Sequence, residues 1–172
     1  ALREIGGDGG SSTLAPHVLA PVDVDGDGVD ELLTIGSTAH LWRSAGPDTM
    51  EEIKVPLPGI SVHTVSDAAV GDLNRDGLAD IYLAQGRGNP ERLNLPGEAD
   101  ALLMNRGDGR FELVQAPLPR RAVTLGVTLV DVDGDGWLDI VESVEVSWLV
   151  GPSRILLNRS QPGDEVPHFE VM

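Results

Sequence analysis

The chain contains no cysteine. Disulfides, thiolate metal sites and thiol nucleophiles are excluded together. Aromatic residues make up only 3% of it. No apolar run approaches the ~18 residues of a membrane span. Positive charge is also scarce: 12 Lys and Arg stand against 28 Asp and Glu, a formal charge of −16. Gripping a phosphate backbone needs clustered cations, so nucleic acid is not an expected partner. There is no Gly-x-x-x-x-Gly-Lys phosphate loop. His63, Ser66 and Asp67 sit close together at a strand entry but without a nucleophile-elbow pattern. His17, His40, His63 and His168 are dispersed, which argues against a shared zinc or catalytic centre. No secretory leader opens the chain, and a mature or excerpted exported protein would read the same way.

Turn-forming residues are plentiful, with 21 Gly and 12 Pro among 172 residues. That suits one all-β domain of short strands with a core of its own.

Three stretches organise the chain: Asp23-Val-Asp-Gly-Asp-Gly-Val-Asp-Glu31, Asp72-Leu-Asn-Arg-Asp-Gly-Leu-Ala-Asp80 and Asp131-Val-Asp-Gly-Asp-Gly-Trp-Leu-Asp139. Oxygen ligands stand at positions 1, 3 and 5 of each: Asp23, Asp25 and Asp27; Asp72, Asn74 and Asp76; Asp131, Asp133 and Asp135. A glycine follows at position 6, and Glu31, Asp80 and Asp139 supply a carboxylate at position 9. Position 7, which is Val29, Leu78 or Trp137, would contribute its carbonyl, and any residue can do that. Hard cations such as calcium take 6–8 oxygens at about 2.3–2.6 Å, and a loop turning sharply at glycine brings alternate side chains to one centre. A single Asp/Gly-rich stretch is usually a plain turn, because Asp bonds its own backbone and Gly supplies positive φ. Three stretches with one internal spacing favour the cation. Crowding carboxylates without one costs roughly 1 kcal/mol per pair at 4 Å even in water.

The flanks decide the fold. An EF-hand needs helices on both sides and a bidentate Glu at position 12. That position is Thr34, Leu83 and Glu142, so only one loop fits. Short apolar runs follow the loops at 32–35, 81–84 and 140–143, and others precede them at 17–19, 68–70 and 127–130. Each loop is therefore expected to turn a β-hairpin.

A second hairpin recurs after each loop, at 102–113 and 155–171 and, more divergently, at 40–55. A period of roughly 50 residues with four strands per unit is the anatomy of a propeller blade. Blade one is expected near 17–56, blade two near 65–116 and blade three near 123–172. Residues 1–15 would be the outer strands of a preceding blade. Closed propellers have 4–8 blades, so further blades of a longer chain, or other chains, are expected to complete the ring.

Asp-x-Asp-Gly-Asp-Gly-x-x-Asp, a short strand and then Leu-x-x-Asn-x-Gly-Asp-Gly-x-Phe resembles the FG-GAP/VCBS repeat. That integrin-α-like β-propeller family also builds bacterial exported proteins, relatives of cartilage acidic protein among them. The resemblance covers nearly the whole chain and is closest in the third loop and in Asn105–Phe111. It implies a partial propeller of four-stranded antiparallel blades holding about three Ca2+, one per loop. It also implies an extracellular, cell-surface or periplasmic location, and a protein or glycan ligand on the face opposite the calcium loops. The sequence departs from the pattern at Asn74 and Arg75, at Glu31, and in the missing Gly-Asp-Gly turn of blade one. A neutral ligand beside a cation makes loop two the weaker site.

The opposite face would carry the connections 85–99, with Arg87, Glu91, Arg92 and Asn94, and 143–152, with Trp148, besides 117–121. Long loops are often functional. Arg106-Gly107-Asp108 spells an adhesion tripeptide, but it falls in a turn that wants Gly-Asp-Gly for backbone reasons. Asn158-Arg159-Ser160 is a permissive glycosylation sequon. The leading expectation is a non-catalytic calcium-binding module that presents a binding surface. A propeller lyase or hydrolase acting on polysaccharide, and a purely structural subunit, are the alternatives.

Overall fold

The computed structural model describes residues 16–36, 38–53, 64–85, 99–107, 109–114, 123–144 and 153–172. The segments expected at 1–15 and in the long connections lie outside these, as do His63, Arg87, Glu91, Arg92, Asn94, Asp108 and Trp148. Among the described residues the fold is all-β. Strands β1 (Val18–Val22), β2 (Glu31–Ile35), β3 (Ala39–Gly46) and β4 (Thr49–Ile53) form the first sheet. Strands β5 (Val65–Gly71), β6 (Asp80–Gln85), β7 (Ala101–Asn105) and β8 (Phe111–Val114) form the second. Strands β9 (Thr124–Val130), β10 (Asp139–Val144), β11 (Arg154–Asn158) and β12 (Phe169–Val171) form the third. Every pairing is antiparallel and each sheet is a meander in chain order. Each Asp/Gly-rich loop joins the first two strands of its sheet and leads directly into the second of them.

Burial explains the order of the sheets. The first strand alternates between buried and exposed residues, as a strand with one covered face must. The middle strands β6 and β7 are buried throughout. Ile81, Leu83 and Leu103 face the first sheet, where Val18, Val22, Leu33 and Ile35 meet them. Tyr82, Leu102 and Met104 face the third, against Ile140 and Leu156. The continuous apolar runs of the second sheet are thus shared between two cores. Each large side chain buried there contributes about 1.5–3 kcal/mol.

The sheets fan out from their first strands, since β5 lies between β1 and β9. His17 Nε2 bonds the Val65 carbonyl at 2.8 Å, and the Val127 N–H donates to Asp67 Oδ2 at 2.9 Å. The Ser66 hydroxyl donates to the Thr124 carbonyl. Close approach is built in at Gly71, where a Cβ would stand 2.8 Å from Leu138 Cδ1. The result is three propeller blades in series. The first of them turns between β3 and β4 at Pro47 and Asp48, without the Gly-Asp-Gly of the second.

Candidate metal centres

The three loops share one internal scaffold. The position-1 carboxylate spans the turn: Asp23 accepts from Gly26 and Gly28 at 2.8 and 2.9 Å, and Asp131 from Gly134 and Gly136 at 2.7 and 2.8 Å. Asp72 accepts from Asp76 and Gly77 at 3.1 and 2.9 Å. The position-5 carboxylate accepts from the position-7 N–H: Val29 to Asp27, Leu78 to Asp76 and Trp137 to Asp135, at 2.8, 2.9 and 2.8 Å. The position-9 carboxylate is buried and accepts from the position-2 N–H: Val24 to Glu31, Leu73 to Asp80 and Val132 to Asp139, at 3.1, 3.0 and 2.8 Å. Bonds of this kind fix carboxylate orientation before any ion arrives.

Left-handed backbone occurs twice per loop, at positions 4 and 6. Gly occupies both in loops one and three, but Arg75 holds position 4 of loop two at φ 60°. An L side chain there is strained. The guanidinium of Arg75 lies 4.1 Å above the centre of the Trp137 ring, a cation–π contact that joins loop two to loop three.

Convergence of the ligand atoms differs between the loops. Asp23, Asp25 and Asp27 bring carboxylate oxygens within 4.8 Å of one another, and so do Asp131, Asp133 and Asp139. Glu31 stands outside the first group and Asp135 outside the second. Loop two forms no such acidic group among the described residues, in keeping with its neutral Asn74, which bonds Asp76 at 2.9 Å. Burial pushes the Asp80 carboxyl up to about 7, with Asp76 and Asp72 adding to the rise and the N–H groups of Asn105 and Leu73 opposing it. The all-oxygen, carboxylate-rich donor sets of loops one and three fit a hard cation and suit soft or imidazole-preferring metals poorly.

Two arginines lie against these acids. Arg159 Nη1 donates to Asp133 Oδ2 at 2.6 Å and to Asp135 Oδ2 at 3.2 Å, while its Nε reaches Glu170 at 3.3 Å. That bond holds the Asp133 carboxyl below its ordinary range. Arg43 is looser, 3.7 Å from Asp25 and 3.9 Å from Glu31.

The sequence model of the FG-GAP-like repeat matches residues 23–83 and again 86–142. The chain belongs to the FG-GAP-like repeat family. Both matches end in the strand that follows an Asp/Gly-rich loop, β6 and β10. Mouse integrin alpha-IIb is 25% identical over 173 aligned residues, which is 85% of this chain but 16% of that protein. The chain therefore spans about one sixth of this relative's length.

Several motifs acquire a place in the FG-GAP-like blades. Asn158 is fully buried; its amide donates to the Leu73 carbonyl at 2.8 Å and the Leu138 carbonyl at 3.1 Å. A glycan could not be attached there without opening the blade interface. Arg106 is engaged by Glu112 at 2.8 Å and by the Glu165 carbonyl at 3.3 Å. Glu142, the one residue matching an EF-hand position 12, instead lies inside the second blade interface. It accepts from Tyr82 at 2.5 Å and Arg154 at 2.8 Å.

Asp100 joins this buried group and accepts from the Gln85 N–H and the Thr124 hydroxyl at 2.6 and 2.8 Å. Burial pushes its carboxyl up to about 7; the Gln85 N–H and Thr124 hydroxyl oppose the rise and neighbouring Glu142 adds to it. A raised carboxyl beside a second acid can mark an active site. Both acids are almost fully enclosed and lie against Arg154. Among the described residues no helix is long and apolar enough to cross a membrane.

Sequence reasoning missed the inter-blade asparagines, the requirement at position 4 and the role of Arg159. The repeated Asn105 and Asn158 were visible in the hairpin pattern, but their partners lie one blade away.

Proposed function

We propose that this chain is a non-catalytic, calcium-binding propeller segment whose ions stiffen the turns between the first two strands of each blade. The observation that carries the reading is the shared hydrogen-bond scaffold, which aims carboxylates at one point in loops one and three within 4.8 Å. The ligand set is Asp23, Asp25, Asp27, the Val29 carbonyl and Glu31 in loop one. It is Asp72, Asn74, Asp76, the Leu78 carbonyl and Asp80 in loop two. In loop three it is Asp131, Asp133, Asp135, the Trp137 carbonyl and Asp139. Calcium bound there would neutralise an acidic rim and tie each loop to the buried carboxylate at its end.

The biological role that follows is presentation of a surface for a protein or glycan on the face away from the loops, in an extracellular, cell-surface or periplasmic setting. The name of the integrin relative and the family membership support this role. Further blades, in this chain or from others, would complete the ring. Position 2 supports that reading: Val24 and Leu73, each covered by the next blade, are 1% and 0% exposed, whereas Val132 is 45% exposed.

Thermal unfolding with calcium and with chelator tests the calcium reading. A free concentration of about 100 times Kd stabilises by about 2.7 kcal/mol. A melting temperature indifferent to chelator would overturn it. A protein and glycan array tests the binding role, and turnover of any captured glycan would overturn the non-catalytic part.

A further inference from the structure

We propose that Arg159 is a built-in competitor for the loop-three cation, so that the loop whose sequence best fits calcium is not the tightest site. This rests on the calcium reading above and concerns how strongly loop three holds its ion. Arg159 Nη1 sits 2.6 Å from Asp133 Oδ2 and 3.2 Å from Asp135 Oδ2. These are the carboxylates at positions 3 and 5. Their other oxygens are already engaged, Asp133 Oδ1 by the Asp135 N–H and Asp135 Oδ1 by the Trp137 N–H. A divalent ion entering the loop must therefore share or displace the oxygens held by the guanidinium, with a positive charge as its neighbour.

The equivalent arginine in blade two gives the geometry of release. Arg106 and Arg159 each follow the last residue of the third strand, and each bonds through Nε to the glutamate on the fourth strand. The distances are 2.8 Å to Glu112 and 3.3 Å to Glu170. Only Nη1 differs: that of Arg106 turns to the Glu165 carbonyl, and that of Arg159 turns to loop three. The guanidinium can thus leave the loop carboxylates while its Nε stays on the strand. Arg43 lies farther from its loop, at 3.7 Å from Asp25, so loop one carries a weaker competitor.

The test is Tb3+ binding to the 172-residue chain, read by luminescence excited through tryptophan. The Trp137 ring lies between loop three and Arg75 of loop two, so the loop-three signal is the part lost in Asp131→Asn and kept in Asp72→Asn. Arg159→Met is expected to tighten Tb3+ binding roughly fivefold, as removal of a charge-assisted contact at a half-exposed site should. Arg159→Lys, which keeps the charge, should stay near the wild type. Arg106→Met should leave loop three unchanged. The gap between wild type and Arg159→Met should narrow as ionic strength rises. Arg159→Gln serves as a second variant if Met lowers solubility. Equal or weaker binding by both neutral variants, with wild-type emission present, overturns the proposal and leaves the calcium reading standing. Absence of loop-three emission from wild type and variants alike overturns the proposal and the calcium reading of loop three, and leaves loop one to the thermal test above.

Discussion

The side-chain amide of Asn158 in blade three donates to the main-chain carbonyl of Leu73 in blade two across 2.8 Å. Leu73 is position 2 of the second loop, and its own N–H is held by Asp80 at 3.0 Å. The arrangement recurs one blade earlier, where Asn105 donates to the Val24 carbonyl at 3.1 Å and the Val24 N–H is held by Glu31. The Asn105 N–H in turn donates to Asp80 and the Asn158 N–H to Asp139, at 2.9 and 2.7 Å. A line of hydrogen bonds therefore passes from loop one through blade two to loop two and on through blade three to loop three. Each of the first two loops is thus in direct contact with the next blade.

Replacing Asn158 with Ala removes the donors to Leu73 and Leu138 and the acceptor for Ser160. Leaving such buried groups unpaired costs about 1–3 kcal/mol each. A loss of about 3 kcal/mol is expected in urea unfolding, with Asn105→Ala about 1 kcal/mol milder because it holds fewer partners. A cost below about 0.5 kcal/mol, typical of surface positions, would mean that the blades are held together elsewhere.

The buried acids predict a pH dependence. The folded Asp100 carboxyl is raised from 3.8 to about 7, chiefly by burial. Between these values the folded chain holds a proton that the unfolded chain has released. Stability contributed by this group therefore falls as pH rises from about 4 to about 7 and is flat above. Asp80, also raised to about 7 by burial, adds a slope of the same sign, so Asp100→Asn, which stays neutral, should reduce the slope by its own share and be more stable than wild type at pH 8. Urea midpoints at pH 5 and pH 8 decide it. An unchanged pH slope in the variant would place the titration on another group.

Much of the fold is legible in the chain because its signals are local. Gly-rich turns bounded by short apolar runs specify hairpins wherever they sit, and the repeat of Asp23, Asp72 and Asp131 orders them into blades. The candidate ligands are legible for the same reason: alternate oxygens in one loop need no distant partner. What the sequence conceals is contact between repeats. Asn158 reads as a sequon and Glu142 as an EF-hand fragment until the neighbouring blade is in place. Arg159 reads as an ordinary surface cation until its fold brings it onto Asp133.

Loop two and loop three should separate stability from affinity. Asn74 is buried, accepts from the Asp76 N–H at 3.2 Å and donates to Asp76 Oδ2 at 2.9 Å, whereas Asp135 is more exposed. In chelator, Asn74→Ala should lose about 1–2 kcal/mol and Asp135→Ala less, because lost bonds cost most where water cannot replace them. For the calcium-induced rise in melting temperature the order should invert, since Asp135→Ala removes a charged ligand and Asn74→Ala a neutral one. Thermal scans of both variants with and without calcium check the inversion. The same ranking in both conditions would mean that these two side chains do not act as ligands.

Arg75 carries the last prediction. Its φ of 60° lies where loops one and three place glycine, and left-handed backbone costs an L residue roughly 1 kcal/mol. The contact 4.1 Å above Trp137 offsets this by about 0.5–1 kcal/mol. Arg75→Gly relieves the strain and forfeits the contact, so its stability should match wild type within about 0.5 kcal/mol. Arg75→Ala keeps the strain and also loses the contact, so it should fall about 1 kcal/mol below the glycine variant. Both should alter Trp137 emission alike, because both uncover the same face of the ring. Urea unfolding followed by tryptophan fluorescence reads stability and environment together. If Ala and Gly prove equally stable, the backbone at position 4 is not strained, and the arginine is there for its ring contact alone.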